Sequence, residues 1–161
     1  MEALRIRPFR PDDQDQARAL VLAGLAEHFE HFDPVRNPDL VDIAGSYPAP
    51  NNWFIVAELE SSLIGTAALI RETPRRGRIV RMSVAADFRR QGIAHRMVEM
   101  LIQTAGDNGM SLLVVETNND WLGAIQLYSQ CGFTPVDHRN GELHFAMDLA
   151  ARANNESHPI N

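Results

Sequence analysis

The feature that most constrains this chain is a strand, a turn and a helix that follow one another between residues 79 and 102. Residues 79–84 form an apolar run that stops at an arginine-rich turn, and a helical pattern of apolar residues begins at Gly92. This order points the first free N–H groups of the helix out of the fold, where their partial positive charge suits a phosphate. Arg89 and Arg90 lie just before the helix, and Gly92 has no side chain to block a ligand. On this stretch alone, an ordinary helix start with solvated arginines is equally compatible.

The overall composition is that of a soluble globular protein, with 161 residues of which 45% are hydrophobic and 22% are charged. We expect one domain over residues 1–150 and a polar, frayed tail over residues 151–161. No apolar run approaches the length of a membrane span, and the N-terminus lacks the apolar segment of a signal peptide. We therefore expect a cytoplasmic protein without a membrane partner, as a monomer or a homodimer. The formal net charge of -6 argues against a nucleic-acid partner.

The basic residues are unusual, because all 15 are arginine and the chain has no lysine. This excludes Schiff-base chemistry by a lysine of the chain, an internal pyridoxal phosphate linkage and the phosphate-loop lysine of common nucleotide triphosphatases. More than half of the arginines lie between residues 71 and 96. A local basic patch on an acidic chain favours an anionic small ligand.

No metal site is expected from the sequence. Cys131 is the only cysteine, which excludes an intrachain disulfide and a cysteine-based zinc cluster, and it is best interpreted as a small buried hydrophobe. His28 and His31 are three residues apart on a predicted helix, but His28 falls on the apolar face of that helix.

The hydrophobic periods predict a complete order of helices and strands. Strands are predicted at residues 4–9, 53–58, 63–70, 78–84, 112–116, 133–137 and 143–149, and helices at residues 11–32, 38–43, 92–105 and 122–131. This order predicts an α/β fold (a mixed α+β sheet), in which a central, mostly antiparallel, twisted sheet carries helices on both faces.

Two segments carry a resemblance to a known family. Residues 89–94 read Arg-Arg-Gln-Gly-Ile-Ala, which resembles motif A of the GCN5-related N-acetyltransferases (GNAT): Gln or Arg, two residues, Gly, one residue, then Gly or Ala. Residues 124–133 read Ala-Ile-Gln-Leu-Tyr-Ser-Gln-Cys-Gly-Phe, which is similar to the Ala-Ile-x-Leu-Tyr-x-x-x-Gly-Phe segment of that family. The resemblance covers roughly residues 4–149 and implies the acyl-CoA N-acyltransferase fold.

The resemblance implies that the ligand is acetyl-coenzyme A. Its pyrophosphate would bind the backbone amides at the helix start, assisted by Arg89 and Arg90; these amides belong to Gln91, Gly92, Ile93, Ala94 and His95. Its pantetheine arm would lie along the fourth strand as an added strand does, on the backbone of Met82, Ser83 and Val84, with a bulge that splays this strand from the next.

Two catalytic residues follow from the same resemblance and from the chemistry of amines. Tyr128 matches the family tyrosine that protonates the departing thiolate. An acceptor amine with a pKa of about 10.4 is mostly protonated at pH 7, and deprotonating it costs about 4.6 kcal/mol. A base is therefore needed, but residues 78–84 contain no carboxylate. Glu116, at the end of the next strand, is the first candidate, directly or through water, and His28 is the second.

The chain departs from many relatives three residues before Ala124, where Trp121 stands in place of the usual asparagine. Asn118 and Thr117 lie just upstream, and either would supply the missing polar contact to the cofactor.

The resemblance implies an acetyl-CoA-dependent N-acetyltransferase acting on a primary amine. The alternative is a non-catalytic module of the same fold that binds coenzyme A or a protein partner. In this family the first helices and nearby loops choose the acceptor, here residues 24–52. The acidic residues of that segment are compatible with attracting a cation or with forming a solvated face; they are Glu27, Glu30, Asp33, Asp39 and Asp42.

Overall fold

A computed structural model of the chain describes residues 3–28 and 37–157. Seven strands form one sheet in the order β1-β2-β3-β4-β5-β7-β6. The strands are β1 (Arg5–Pro8), β2 (Asn52–Leu59), β3 (Ser62–Thr73), β4 (Arg76–Val84), β5 (Leu112–Asn118), β6 (Thr134–Arg139) and β7 (Glu142–Asp148). The helices are α1 (Gln14–His28), α2 (Ile43–Ser46), α3 (Ile93–Asp107), α4 (Leu122–Gln130) and α5 (Leu149–Ser157).

The strand pairing mixes both directions. The pairs β1–β2, β2–β3, β5–β7 and β6–β7 are antiparallel, and β4–β5 is parallel. The register of the parallel pair runs from Arg76↔Leu112 to Arg78↔Val114. The pairing of β5 with β7 is longer and continues to Asn118↔Glu142. The mixed, mostly antiparallel sheet predicted from the sequence is confirmed.

The chain divides into two compact units, and the first comprises residues 1–70 and 80–97. Its apolar core joins α1, the segment around α2 and the inner faces of β2 and β3; the buried members are Ala17, Val21, Leu40, Ile43, Phe54, Val56, Leu63 and Ala68. The first unit also contains a buried ion pair, in which Arg7 donates two hydrogen bonds to Asp13 at 2.8 and 2.9 Å.

The second unit comprises residues 71–79 and 98–161. Leu113 and Val115 of β5 are buried, as is Phe145 of β7, which pairs with Val115 in the strand register. This alternation of buried and half-buried residues gives β5 one face toward the core of the unit.

The predicted order of elements is found, with one difference at the C-terminal end. Residues after Ala150 were expected to fray, whereas α5 continues to Ser157. Leu149 is buried and its N–H donates to the carbonyl of Ser111 at 2.9 Å, and Arg152 donates to the carbonyl of Cys131 at 3.1 Å. These contacts are made with segments distant in sequence, so local composition does not reveal them.

The end of the predicted first helix, up to residue 32, lies outside the described residues, as does His31. Within the described residues, no helix is both long enough and apolar enough to cross a membrane.

Candidate active site

The turn before α3 has an unusual backbone. Arg90 and Gly92 both lie in the left-handed region, at φ +62° and +81°. Alternation of left-handed and ordinary residues turns successive N–H groups toward one point, which is the geometry of an anion-binding nest. The carbonyl of Gly92 accepts the first hydrogen bond of α3, from Arg96 N at 3.1 Å, and the first turn of the helix holds no acidic residue.

Space around Gly92 is open. A Cβ built at this glycine would meet no atom within 4 Å, so the restriction on larger residues comes from the backbone angle alone. Ile93 is buried and anchors the helix start, whereas Gln91 is exposed and Ala94 and His95 are half-buried. These five consecutive residues, whose amides were predicted to hold a pyrophosphate, form the end of the turn and the first residues of α3.

Arg89 already has partners in the chain. Its guanidinium forms two hydrogen bonds with Glu27 at the end of α1, at 2.7 and 2.8 Å, and its Nε donates to the carbonyl of Val84 at 3.0 Å. The hydrogen bonds from Arg89 lower the pKa of the Glu27 carboxyl, so this pair is charged at neutral pH. Arg90 is also exposed and lies beside the open turn.

The end of β4 contributes the three residues assigned to the pantetheine arm. Met82 and Ser83 are half-buried and Val84 is buried. The Ser83 hydroxyl lies against α1, where it donates to the carbonyl of Leu20 at 3.4 Å. The side chain of Ser83 is therefore used for packing, and a contact to a ligand would come from the backbone.

Tyr128 lies in the interior of the second unit. Its side chain is buried, with its ring centroid 5.9 Å from that of Phe133 and 6.0 Å from that of Phe145. Burial, with a smaller contribution from Cys131, raises the pKa of the Tyr128 phenol well above its ordinary value. The phenol therefore holds its proton throughout the neutral range.

Glu116 of β5 lies beside ionisable side chains of the neighbouring strands. Its carboxylate is paired with Arg78 of β4, which also donates to Glu72 at 2.8 and 3.1 Å. His144, its register partner on β7, places Nδ1 3.5 Å from a carboxylate oxygen of Glu116. The carboxylate of Glu116 therefore has a guanidinium and an imidazole as neighbours.

Tyr128 and Glu116 lie on opposite faces of the β5–β7 pair. Consecutive side chains of a strand point to opposite faces, so His144 and Phe145 face opposite sides of β7. Tyr128 packs on Phe145, whereas Glu116 approaches His144. The proposed acid and the proposed base are therefore separated by the thickness of the sheet.

The segment that replaces the usual asparagine contains a buried hydroxyl. Thr117 is 5% exposed, and its Oγ1 makes no hydrogen bond with any described residue. Buried polar groups without a hydrogen-bond partner are rare in folded proteins, so we expect this hydroxyl to bind one. Asn118 and Trp121 are both half-buried, and the N–H of Trp121 donates to the carbonyl of Asn118 at 3.1 Å. Thr117 is the residue of this segment whose polar group most needs a ligand.

The acidic residues of the predicted acceptor segment are largely engaged within the chain. Glu27 pairs with Arg89, Asp39 pairs with Arg81 at 2.6 Å, and Asp42 accepts from the N–H of Gly45 at 3.0 Å. Glu30 and Asp33 lie outside the described residues. His28 is exposed at the end of α1.

Sequence reasoning missed His144 and the partners of the arginines. His144 lies in β7, where polar and apolar residues alternate. This alternation places His144 on the face opposite Phe145, and it was the only signal in the sequence that could have pointed to His144. The carboxylates that pair with Arg89 and Arg81 are Glu27 of α1 and Asp39 of the segment after it, and the sequence does not specify how these elements pack.

Comparison with known proteins shows the family of this chain. The profile of the acetyltransferase (GNAT) family matches residues 19–133. Among curated proteins, N-acetyltransferase family 8 member 2 of Rattus norvegicus is 38% identical over 105 residues, which cover 62% of this chain and 46% of the relative. The chain thus matches about half the length of such relatives.

Solved structures share the fold. An acetyltransferase of the GNAT family from Staphylococcus aureus Mu50 superposes with a TM-score of 0.84 at 19% identity, over 91% of this chain and 99% of that one. The PaiA N-acetyltransferase from Thermoplasma acidophilum, in complex with coenzyme A, gives a TM-score of 0.77 at 14% identity, over 91% and 99%. The family profile covers more than half of the sequence, and the fold is shared over nearly all of it, so the chain belongs to the GNAT family of acetyltransferases.

Proposed function

We propose that this protein transfers an acetyl group from acetyl-coenzyme A to a primary amine. The observation that carries the proposal is the turn at residues 89–95, where two left-handed residues and an open helix start present backbone N–H groups to an anion. The coenzyme A bound to the Thermoplasma acidophilum relative supports the same ligand class for this chain.

Three sets of residues are proposed to hold acetyl-coenzyme A. The amides of residues 91–95 would receive the pyrophosphate, and the backbone of residues 82–84 would receive the pantetheine arm. The buried Thr117 hydroxyl suits a polar group of the ligand, since it has no hydrogen-bond partner among the described residues. Asn118 and Trp121 flank it.

The transfer requires two proton movements. A bond forms between the amine nitrogen and the acetyl carbon as the bond from that carbon to sulfur breaks, so one proton leaves the nitrogen and one reaches the sulfur. Tyr128 donates to the sulfur, because burial keeps its phenol protonated. Glu116, whose carboxylate is paired with Arg78, is proposed to accept the proton of the amine. Because sulfur and nitrogen are bonded to the same carbon during the transfer, and Glu116 lies on the face of β5–β7 opposite Tyr128, the proton of the amine would reach Glu116 through water.

A thiol-release screen tests the function. The protein is incubated with acetyl-coenzyme A and a panel of small amines, amino acids, aminoglycoside-type antibiotics, peptides and lysine-bearing proteins, and free thiol and acetylated product are measured. We expect release that depends on the amine, with one acetyl group gained by the product. Binding of acetyl-coenzyme A without release by any amine would favour the non-catalytic module.

A comparison of Glu116→Gln with His28→Gln tests which of the two side chains is the base. We expect Glu116→Gln to lower kcat roughly 10²–10⁴-fold, the usual contribution of a positioned base, with little effect on coenzyme A affinity. Asp107→Asn, at the exposed end of α3, is the matched control and should behave as wild type. If His28→Gln abolishes turnover and Glu116→Gln does not, His28 takes the role of base.

A further inference from the structure

Arg81 has a backbone conformation that its position does not explain. It lies inside β4, yet its φ is +56°. Among the described residues, the other non-glycine residues with positive φ lie in turns between elements; they are Glu60, Ser61, Arg90 and Asn140. A left-handed residue in a strand is the mark of a bulge, and for an L-residue it persists only when its surroundings hold it.

The surroundings of Arg81 supply that restraint. Its Nε donates to Asp39 at 2.9 Å and its Nη2 donates to the other oxygen of Asp39 at 2.6 Å, a two-point contact that fixes the guanidinium plane. Its Nη2 also donates to the side chain of Asn37 at 3.1 Å. The buried Thr66 hydroxyl donates to the carbonyl of Arg81 at 2.8 Å.

Asp39 is itself fixed by a third residue. The Tyr47 hydroxyl donates to Asp39 at 2.6 Å, and the Tyr47 ring packs on Phe54, with ring centroids 5.2 Å apart. Burial tends to raise the pKa of the Asp39 carboxyl, but the hydrogen bonds from Arg81 and Tyr47 outweigh burial and lower it. The carboxylate is therefore charged at neutral pH.

We propose that Arg81 and Asp39 are positioning residues for acetyl-coenzyme A. Their ion pair holds the left-handed backbone at Arg81, and this bend sets the direction of the backbone groups of the next three residues of β4. Those residues, Met82 to Val84, are the ones that the proposed function assigns to the pantetheine arm, so the inference rests on that function. Asp39 lies in the predicted acceptor segment, residues 24–52, but its carboxylate pairs with Arg81 of β4. We therefore assign it to the positioning of β4 and not to the attraction of an amine.

A set of four proteins distinguishes the effect of the bend on binding from the effect of the ion pair. They are wild type, Asp39→Ala, Arg81→Gly and the double variant. Each is titrated with coenzyme A by calorimetry. We expect Asp39→Ala to weaken binding about tenfold, the order expected when an L-residue must be left-handed without support. Arg81→Gly should stay within about threefold of wild type, because glycine adopts positive φ readily. The double variant should regain most of the affinity that Asp39→Ala loses.

Asp13→Ala is the control, because it breaks another Arg–Asp pair of the same unit, between Arg7 and Asp13. It should lower the midpoint of thermal unfolding while leaving coenzyme A affinity unchanged at a temperature where the protein is folded. Wild-type affinity in folded Asp39→Ala overturns the inference. An Arg81→Gly variant that binds as weakly as Asp39→Ala also overturns it, since the guanidinium and not the bend would then matter. Failure of the wild type to bind coenzyme A would instead contradict the proposed function.

Discussion

Tyr128 is the residue whose surroundings most clearly suit one chemical step. It is 4% exposed and packed between two phenylalanines, and burial raises the pKa of its phenol. A phenol in this state is protonated before the reaction and gives up its proton only to a strong acceptor. A thiolate in the same desolvated surroundings is such an acceptor, because burial disfavours its charged form as well.

Replacement of Tyr128 by phenylalanine tests this role. We expect kcat to fall roughly 10²–10⁴-fold, because the proton donor is lost while the packing ring remains. Coenzyme A affinity should change by less than about twofold, since the hydroxyl is needed in the reaction and not in binding. Ser129→Ala removes an exposed hydroxyl from the neighbouring position of α4 and should be silent. Steady-state kinetics with undiminished turnover in Tyr128→Phe would remove Tyr128 from the mechanism.

Asp13 makes the stability of the fold depend on pH. The hydrogen bonds from Arg7 lower the pKa of its carboxyl, despite opposing burial. A carboxyl with a depressed folded pKa stabilises the fold above its unfolded pKa of about 3.9, and this contribution is lost as the pH falls through the folded value.

Urea unfolding of wild type and Asp13→Ala at pH 7 and at pH 3 measures this contribution. At pH 7 the free energy of unfolding of the variant should be lower by about 2–3 kcal/mol. This is less than the cost of a buried charge without any partner, because Glu58 still pairs with Arg7. Toward pH 3 the difference between the two proteins should shrink. A difference that stays constant with pH would mean that the Asp13 carboxylate does not stabilise the fold through its charge.

Single residues also show where sequence reasoning stops. Gly92 and Tyr128 were identified because their types and spacings carry the family pattern. The partners of Arg89 and Arg81 were not, because each arginine meets a carboxylate 62 or 42 positions away in the chain. Such pairs depend on how α1 and the segment after it pack, and no local period encodes that packing.

At the scale of elements, periodic segments were predictable and the last helix was not. The strand, turn and helix of residues 79–102 follow from apolar periods that switch at a polar turn. The last helix, α5, has a polar sequence, and its contacts with Ser111, Cys131 and Glu99 are made at a distance in the chain. A short polar helix of this kind is stabilised by tertiary contacts and not by its own propensity.

Arg152 makes two of those contacts. It donates hydrogen bonds to the Cys131 carbonyl at 3.1 Å and to the Glu99 carboxylate at 2.7 Å. Arg152→Ala should therefore lower the free energy of unfolding by about 1–2 kcal/mol, the sum expected for two partly exposed polar contacts. Hydrogen exchange should show faster exchange in α5 than in α3. Arg96→Ala, which removes an exposed arginine from α3, is a control expected to change stability by less than about 0.5 kcal/mol. Equal protection of α5 in Arg152→Ala and wild type would contradict this account.

At the scale of the whole molecule, an acidic chain is proposed to bind an anionic ligand. The formal net charge is -6, so long-range attraction does not favour a pyrophosphate. Several of the arginines near the site are already paired with carboxylates, namely Arg76, Arg78, Arg81 and Arg89. Binding would then depend on short-range contacts, and we propose that the backbone N–H groups at the start of α3, beside the open space around Gly92, supply them.

The central claim is that backbone geometry, more than side-chain charge, holds the ligand at this turn. Calorimetric titration of acetyl-coenzyme A into wild type, Gly92→Ala and Arg90→Ala tests it with two substitutions to the same residue. Ala at position 92 meets no neighbour but must adopt φ +81°, whereas Ala at position 90 keeps the backbone demand and removes only an exposed charge. We predict a loss of roughly 5–30-fold for Gly92→Ala, from a left-handed penalty of about 1–2 kcal/mol, and of less than about threefold for Arg90→Ala. The reverse order of affinities would contradict the account.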